Sequence, residues 1–108
     1  MAIIFVDVST YHVYAQGANT KGVLAWIILG IPNAFATLMF YQDGAEIPAN
    51  SIFVNAGQPA YTVRYHYAQF ADVLDLLRNE KPIKFAFNDQ SLSGYITTGD
   101  EPVGEAEV

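Results

Sequence analysis

Seven consecutive residues, Tyr61-Thr62-Val63-Arg64-Tyr65-His66-Tyr67, hold the densest collection of hydrogen-bonding and ionisable side chains in this 108-residue chain. On an extended strand Tyr61, Val63 and Tyr65 share one face, and Thr62, Arg64 and His66 the other. A guanidinium beside an imidazole, flanked by tyrosines, could hold an anion or an array of sugar hydroxyls. The plainer expectation carries more weight. In it the tyrosines fill the rim of a core, Arg64 pairs with a carboxylate, and His66 sits at a helix start.

A second group gathers Asp7, Tyr11, His12 and Tyr14. An imidazole oriented by a carboxylate is a general base. Only nearness in sequence joins Asp7 to His12, however, and a surface imidazole is the ordinary outcome in an alternating segment. Trp26, the single tryptophan, stands in an apolar run, which argues for the core. Exposed beside Tyr11 or Tyr14, it would instead form a stacking platform for a sugar or a proline-rich peptide. The ligand-binding candidates are therefore Arg64, His66, Tyr61, Tyr65, Trp26 and His12, and no residue is assigned a catalytic role.

Several chemistries lack their residues. With no cysteine and two histidines far apart, the chain has no metal-ligand spacing. The eight glycines form neither a phosphate-binding loop nor a dinucleotide fingerprint. No serine has the G-x-S-x-G setting of an activated nucleophile. No cofactor is expected. Eleven acidic against five basic residues give a net charge of −6. Lys21, Arg64, Arg78, Lys81 and Lys84 form no run, so a nucleic-acid partner is not expected. The absence of cysteine and of a basic, signal-like N-terminus points to the cytoplasm.

These side chains must be positioned by elements that the hydropathy pattern reveals. Val23 to Phe40 runs eighteen residues without a charge. As one helix it would reach about 27 Å, close to a bilayer core. Gly30, Pro32 and Asn33 interrupt it, and proline inside a helix costs about 3 kcal/mol. The same residues suit a turn between two β-rich halves, Val23 to Leu29 and Phe35 to Tyr41, so a soluble hairpin is preferred to a membrane span.

Ala2 to Val8 reads as a strand apolar on both faces, as a covered strand would be. Tyr11–Ala15, Ser51–Asn55, Ala60–Tyr65, Ile83–Phe87 and Leu92–Thr98 complete the set, and the last two form a hairpin. In His66 to Asn79 the period changes. Phe70, Val73, Leu74 and Leu77 recur at helical spacing, Asp75 can pair with Arg78, and Asn79 can cap the end in a left-handed conformation before Pro82. The chain is expected to be mainly β, a single-domain antiparallel sandwich or barrel of seven or eight short strands over residues 1–98. One helix lies near residues 66–79, and an acidic tail covers 99–108.

At 52% hydrophobic and 15% charged, the chain has little charge to cover a surface, which raises self-association as an expectation. The functional expectation is a non-catalytic binding or assembly module whose ligand is a carbohydrate, a peptide or another copy of the chain. The alternative is a small hydrolase or isomerase using a histidine–carboxylate pair.

Overall fold

Alternation and turn chemistry generate eight strands and one helix: β1 (Ile3–Asp7), β2 (Thr10–Ala15), β3 (Val23–Ile31), β4 (Ala34–Tyr41), β5 (Ser51–Asn55), β6 (Gln58–His66), α1 (Phe70–Asn79), β7 (Ile83–Asn88) and β8 (Ser93–Thr98). The computed structural model describes residues 3–17 and 22–99. The expected acidic tail lies outside the described residues except for Gly99. The strands form a five-stranded sheet in the order β2-β3-β4-β6-β5 and a three-stranded sheet in the order β1-β7-β8. They pack as a sandwich.

The uncharged run does fold back at its proline. β3 and β4 pair antiparallel, and the turn is tighter than expected: Ile31 faces Ala34 directly. Pro32 fixes a negative φ, and Asn33 adopts φ 55°, the combination of a type II turn. Among the described residues no helix is long and apolar enough to cross a membrane.

A second tight turn links β5 to β6, and β6 begins at Gln58, before the expected Ala60. Ala56 and Gly57 take φ 53° and 79°, a type I′ pair whose twist suits a hairpin. Pro59 therefore belongs to β6 and not to the turn. It stands one residue before β6 begins to pair with β4 at Ala60, so its missing N–H leaves no gap in that ladder.

One pairing departs from the antiparallel expectation. β4 and β6 run parallel, because the β5–β6 hairpin returns with its second arm against β4. The loop of residues 42–50 spans β6 to reach β5. The chain also changes sheet at Ser9, whose amide donates to the Gly30 carbonyl at 2.9 Å. This sheet change separates β1 from β2.

Between the sheets lie Ile27, Leu38, Phe40 and Val63 from one side and Phe85 and Phe87 from the other, all essentially excluded from water. Each contributes roughly 1.5–3 kcal/mol by burial. Tyr61 packs against Phe87 at 4.9 Å between ring centroids. Helix α1, preceded by a 3₁₀ turn at Tyr67–Gln69, buries Val73 and Leu77 in the same core. Phe70 meets Phe40 edge to face at 5.0 Å. The helix thus joins the two sheets and packs into their shared core.

Its end differs from the sequence reading. Asn79 does not adopt a left-handed conformation. Glu80 is the cap in extended geometry, and its amide donates to the Leu76 carbonyl. The Asn79 amide reaches back to the Asp75 carboxylate, one turn earlier, so that carboxylate is engaged by Asn79. β1 also departs from expectation. It is an edge strand, and Ile3 and Phe5 are 62% and 56% exposed. Only its Ile4, Val6 side meets the core.

Candidate functional site

Strand alternation in β3 and β4 sends one set of side chains inward and leaves the other facing out, whereas in β6 Ala60 and Thr62 on the outward side are buried as well. In β3, Ala25, Ile27 and Leu29 are buried, whereas Trp26 is partly exposed and Ile28 is 40% exposed. The pairing register builds three rows across the outer face. Tyr14, Trp26, Met39 and Arg64 form the first; His12, Ile28, Thr37 and Thr62 the second; Thr10, Gly30, Phe35 and Ala60 the third. Arg64 is the only formal charge in these rows.

The six expected ligand-binding residues divide between the two faces. Trp26 lies on the outer face, not in the core. There it stacks on Tyr14, with centroids 5.0 Å apart and planes 12° apart. Tyr14 in turn stacks on His12 at 4.6 Å and 19°. Trp26 and His12 are therefore brought together, with Tyr14 between them. Arg64 shares the first row at its far end.

Tyr61 and Tyr65 face the opposite way, into the core, as the alternation within Tyr61–Tyr67 requires. Burial raises the Tyr61 hydroxyl above its ordinary pKa of 10.0, and the Asp89 carboxylate adds to the shift. Burial pushes Tyr65 up to about 12, and its ring stacks on Phe40 at 5.1 Å. These two hydroxyls cannot join Arg64 in one cleft.

Arg64 does not pair with a carboxylate. Its Nε donates to the Tyr41 hydroxyl at 3.1 Å, and one terminal nitrogen donates to the Ala49 carbonyl and to Ser51 Oγ at 3.2 Å. Its backbone amide donates to Asn50 Oδ1 at 2.7 Å, and the Asn50 amide donates onward to the Leu92 carbonyl. The guanidinium thus ties the 42–50 loop to the sheet. His66 is exposed at the start of the 3₁₀ turn, where its backbone amide donates to Gln69 Oε1.

Asp7 and His12 are also parted. Asp7 pairs with Lys84 Nζ at 2.6 Å on the three-stranded sheet, whereas His12 stacks on Tyr14 in the other sheet. Among the described residues no three histidine, aspartate or glutamate side chains gather as a metal site.

A groove of about 550 Å³ lies where the β1–β2 crossover meets the end of α1. Its apolar lining includes Leu77, Pro82 and Ile83, and Arg78, Glu80 and Lys81 add charges of both signs. None of the six expected residues lines it. Its walls come from segments distant in the chain, and no local pattern announces them.

The outer face offers apolar and aromatic contact. It has no aligned proton donor and acceptor, and its one cation is already engaged. Ile28, Phe35 and Met39 belong to this surface as fully as Trp26, and their signal was the period-2 alternation inside the uncharged run. No protein-family model, curated protein or solved structure matches this chain.

Proposed function

We propose that the chain is a non-catalytic binding or assembly module, that its contact surface is the outer face of the five-stranded sheet, and that its ligand is a polypeptide presenting apolar and aromatic side chains. The observation that carries this is a nearly uncharged surface, exposed at His12, Tyr14, Ile28 and Phe35 and partly exposed at Trp26 and Met39, on a molecule whose net charge is −6. Exposed apolar patches of this kind mark interaction sites.

The stacking favours a peptide over a sugar. A sugar platform presents aromatic ring faces to the ligand. In the His12–Tyr14–Trp26 stack the inner faces lie against one another. Both faces of Tyr14 and one face each of His12 and Trp26 are taken up within the stack, and the aliphatic Ile28 and Met39 lie beside it, a mixed surface that suits side chains of a partner polypeptide. A cytoplasmic location is part of the proposal and rests on the absence of cysteine. The hydrolase or isomerase alternative needs an oriented histidine, and the neighbours of His12 and Asp7 give it no support.

The test is selection from a random peptide display library on the wild-type chain, with a glycan array in parallel. Ile28→Glu and Met39→Glu, checked for native circular dichroism, serve as counter-targets. The expected result is aromatic-rich peptides whose binding falls at least tenfold on both variants. Peptides that bind both variants equally would overturn the proposal, as would glycan signal that disappears in Trp26→Ala.

A further inference from the structure

Among the described residues the sandwich leaves four strand edges unpaired: β2 and β5 in the larger sheet, β1 and β8 in the smaller. Natural edges are guarded by charge, proline, bulges, shortness or a covering element. β1 carries Asp7, β5 has only five residues, and β8 lies against helix α1 and strand β6. β2, Thr10-Tyr11-His12-Val13-Tyr14-Ala15, has none of these guards. It is straight in register with β3 along its whole length, and every residue but Val13 is exposed.

The hydrogen-bond phase shows which amides are free to pair. The Gln16 amide donates to the Leu24 carbonyl at 2.8 Å, and these residues continue the β2–β3 register. In an antiparallel ladder, bonded pairs alternate with non-bonded ones. Tyr14, His12 and Thr10 therefore turn their amides and carbonyls toward β3. Those of Tyr11, Val13 and Ala15 point to the open edge.

We infer that a second copy of the chain pairs with this edge, β2 antiparallel to β2, about a two-fold axis through Val13. The inference rests on the reading of the chain as an assembly module and names its partner. Only outward amides can meet outward amides, so odd-numbered residues must face odd-numbered ones. Centring the axis on Val13 is the arrangement that uses all three. Val13 faces Val13 of the second copy, and Tyr11 faces Ala15 in both directions, giving six backbone hydrogen bonds.

The charge pattern supports the same occupant. Two molecules of net charge −6 repel, and β2 is an edge without a formal charge where they can approach. The geometry is also continuous with the candidate face. Antiparallel neighbours project to the same side, so His12 of one copy lies opposite Tyr14 of the other. The two aromatic stacks become one array across a ten-stranded sheet. Because each β2 edge is consumed by the other, the assembly closes as a dimer.

The chain has no cysteine, so a single introduced thiol reports the register. Directly opposed residues of a bonded pair sit about 5.5 Å apart at Cα, within disulfide reach. Tyr11 would lie four residues, about 13 Å, from its own counterpart. Light scattering during size exclusion at 50 micromolar is expected to give a mass near twice 11.9 kDa. Val13→Cys is expected to cross-link into a covalent dimer under mild oxidation, and Tyr11→Cys is not.

Val13→Pro removes an amide that β3 does not use, and is expected to leave a folded monomer. Should that variant misfold, a charge pair replaces it. Tyr11→Lys with Ala15→Lys, and Tyr11→Glu with Ala15→Glu, are each expected to be monomeric alone and to dimerise when mixed. A wild-type monomer at 50 micromolar, cross-linking by Tyr11→Cys and not by Val13→Cys, or open-ended polymers would overturn the inference. A monomer that still captures the face-dependent peptides would overturn this inference alone and leave the binding-module proposal standing.

Discussion

Arg64 Nε donates to the hydroxyl of Tyr41 at 3.1 Å. These two side chains stand on parallel strands that the chain connects only through the 42–50 loop and the β5–β6 hairpin. The same guanidinium reaches Ala49 and Ser51 at the far end of that loop. The pair therefore fixes both ends of the segment that makes β4 and β6 parallel neighbours.

Tyr41→Phe removes the acceptor while keeping the ring, which is 6% exposed. Hydrogen bonds to charged groups contribute about 1.5–3 kcal/mol when shielded, and the partly open guanidinium brings the expected loss to about 1 kcal/mol. Arg64→Met should cost more, because the Ala49 carbonyl and Ser51 lose their donor as well. Urea denaturation measures both. Cleavage by glutamyl endopeptidase at exposed Glu46 should accelerate in Arg64→Met, reporting release of the loop.

At Gly94, β8 packs closely against Val63 of the larger sheet. A Cβ there would collide with Val63 Cγ2 and with the Phe87 ring at 2.9 Å. Gly94→Ala is expected to destabilise by about 1–3 kcal/mol through overpacking. Gly17 is the control, because a Cβ added there would meet no atom within 4 Å. Gly17→Ala should stay within about 0.5 kcal/mol. Thermal unfolding of the two variants separates them.

Strand number, the proline turn and the helix were all legible in the sequence, because each rests on local chemistry: period-2 alternation, Pro32-Asn33, and Phe70, Val73 and Leu77 at helical spacing. What escaped was the information carried by long-range pairing. Nothing local distinguishes a parallel β4–β6 neighbour from an antiparallel one. Nothing near Arg64 predicts that its acceptors are Tyr41, Ala49 and Ser51, since those residues reach it only after the loop has crossed the sheet. Trp26 went to the outer face because the uncharged run supplies apolar residues to both sides of β3, and the pattern of hydrophobicity alone cannot say which side is covered. The same ambiguity made β1 look covered when its Ile3, Phe5 side is open.

Alkaline pH should expose the burial of Tyr65. Its hydroxyl loses its proton at about 12 in the folded chain and at 10.0 when unfolded. Between those values the unfolded state binds fewer protons than the folded state, so stability falls as pH rises. The contribution is fully present below pH 10 and is lost through pH 12. Two pH units correspond to about 2–3 kcal/mol. The urea midpoint should drop between pH 9 and 11.5, and Tyr65→Phe should flatten that drop. Absorbance at 295 nm should show at least one tyrosine ionising only when the chain unfolds.

Adjacent isoleucines in β3 test the two-faced sheet most directly. Ile27 is fully buried between the sheets and Ile28 is 40% exposed on the outer face. A carboxylate at Ile27 would face Leu38 and the phenylalanines without a partner, a cost of several kcal/mol that approaches the whole stability of a domain this size. Ile27→Glu is therefore expected to be unfolded by circular dichroism at 25 °C. Ile28→Glu moves the same charge by one residue, about 3.4 Å along the strand, yet places it in water. It should unfold within about 0.5 kcal/mol of wild type. Its one marked effect should be on whatever contacts the aromatic face, because the new charge sits beside Trp26 and Thr37 without disturbing the core behind them. A destabilised Ile28→Glu would mean that the outer face is packed against something within the chain, and a folded Ile27→Glu would mean that the register of β3 is inverted.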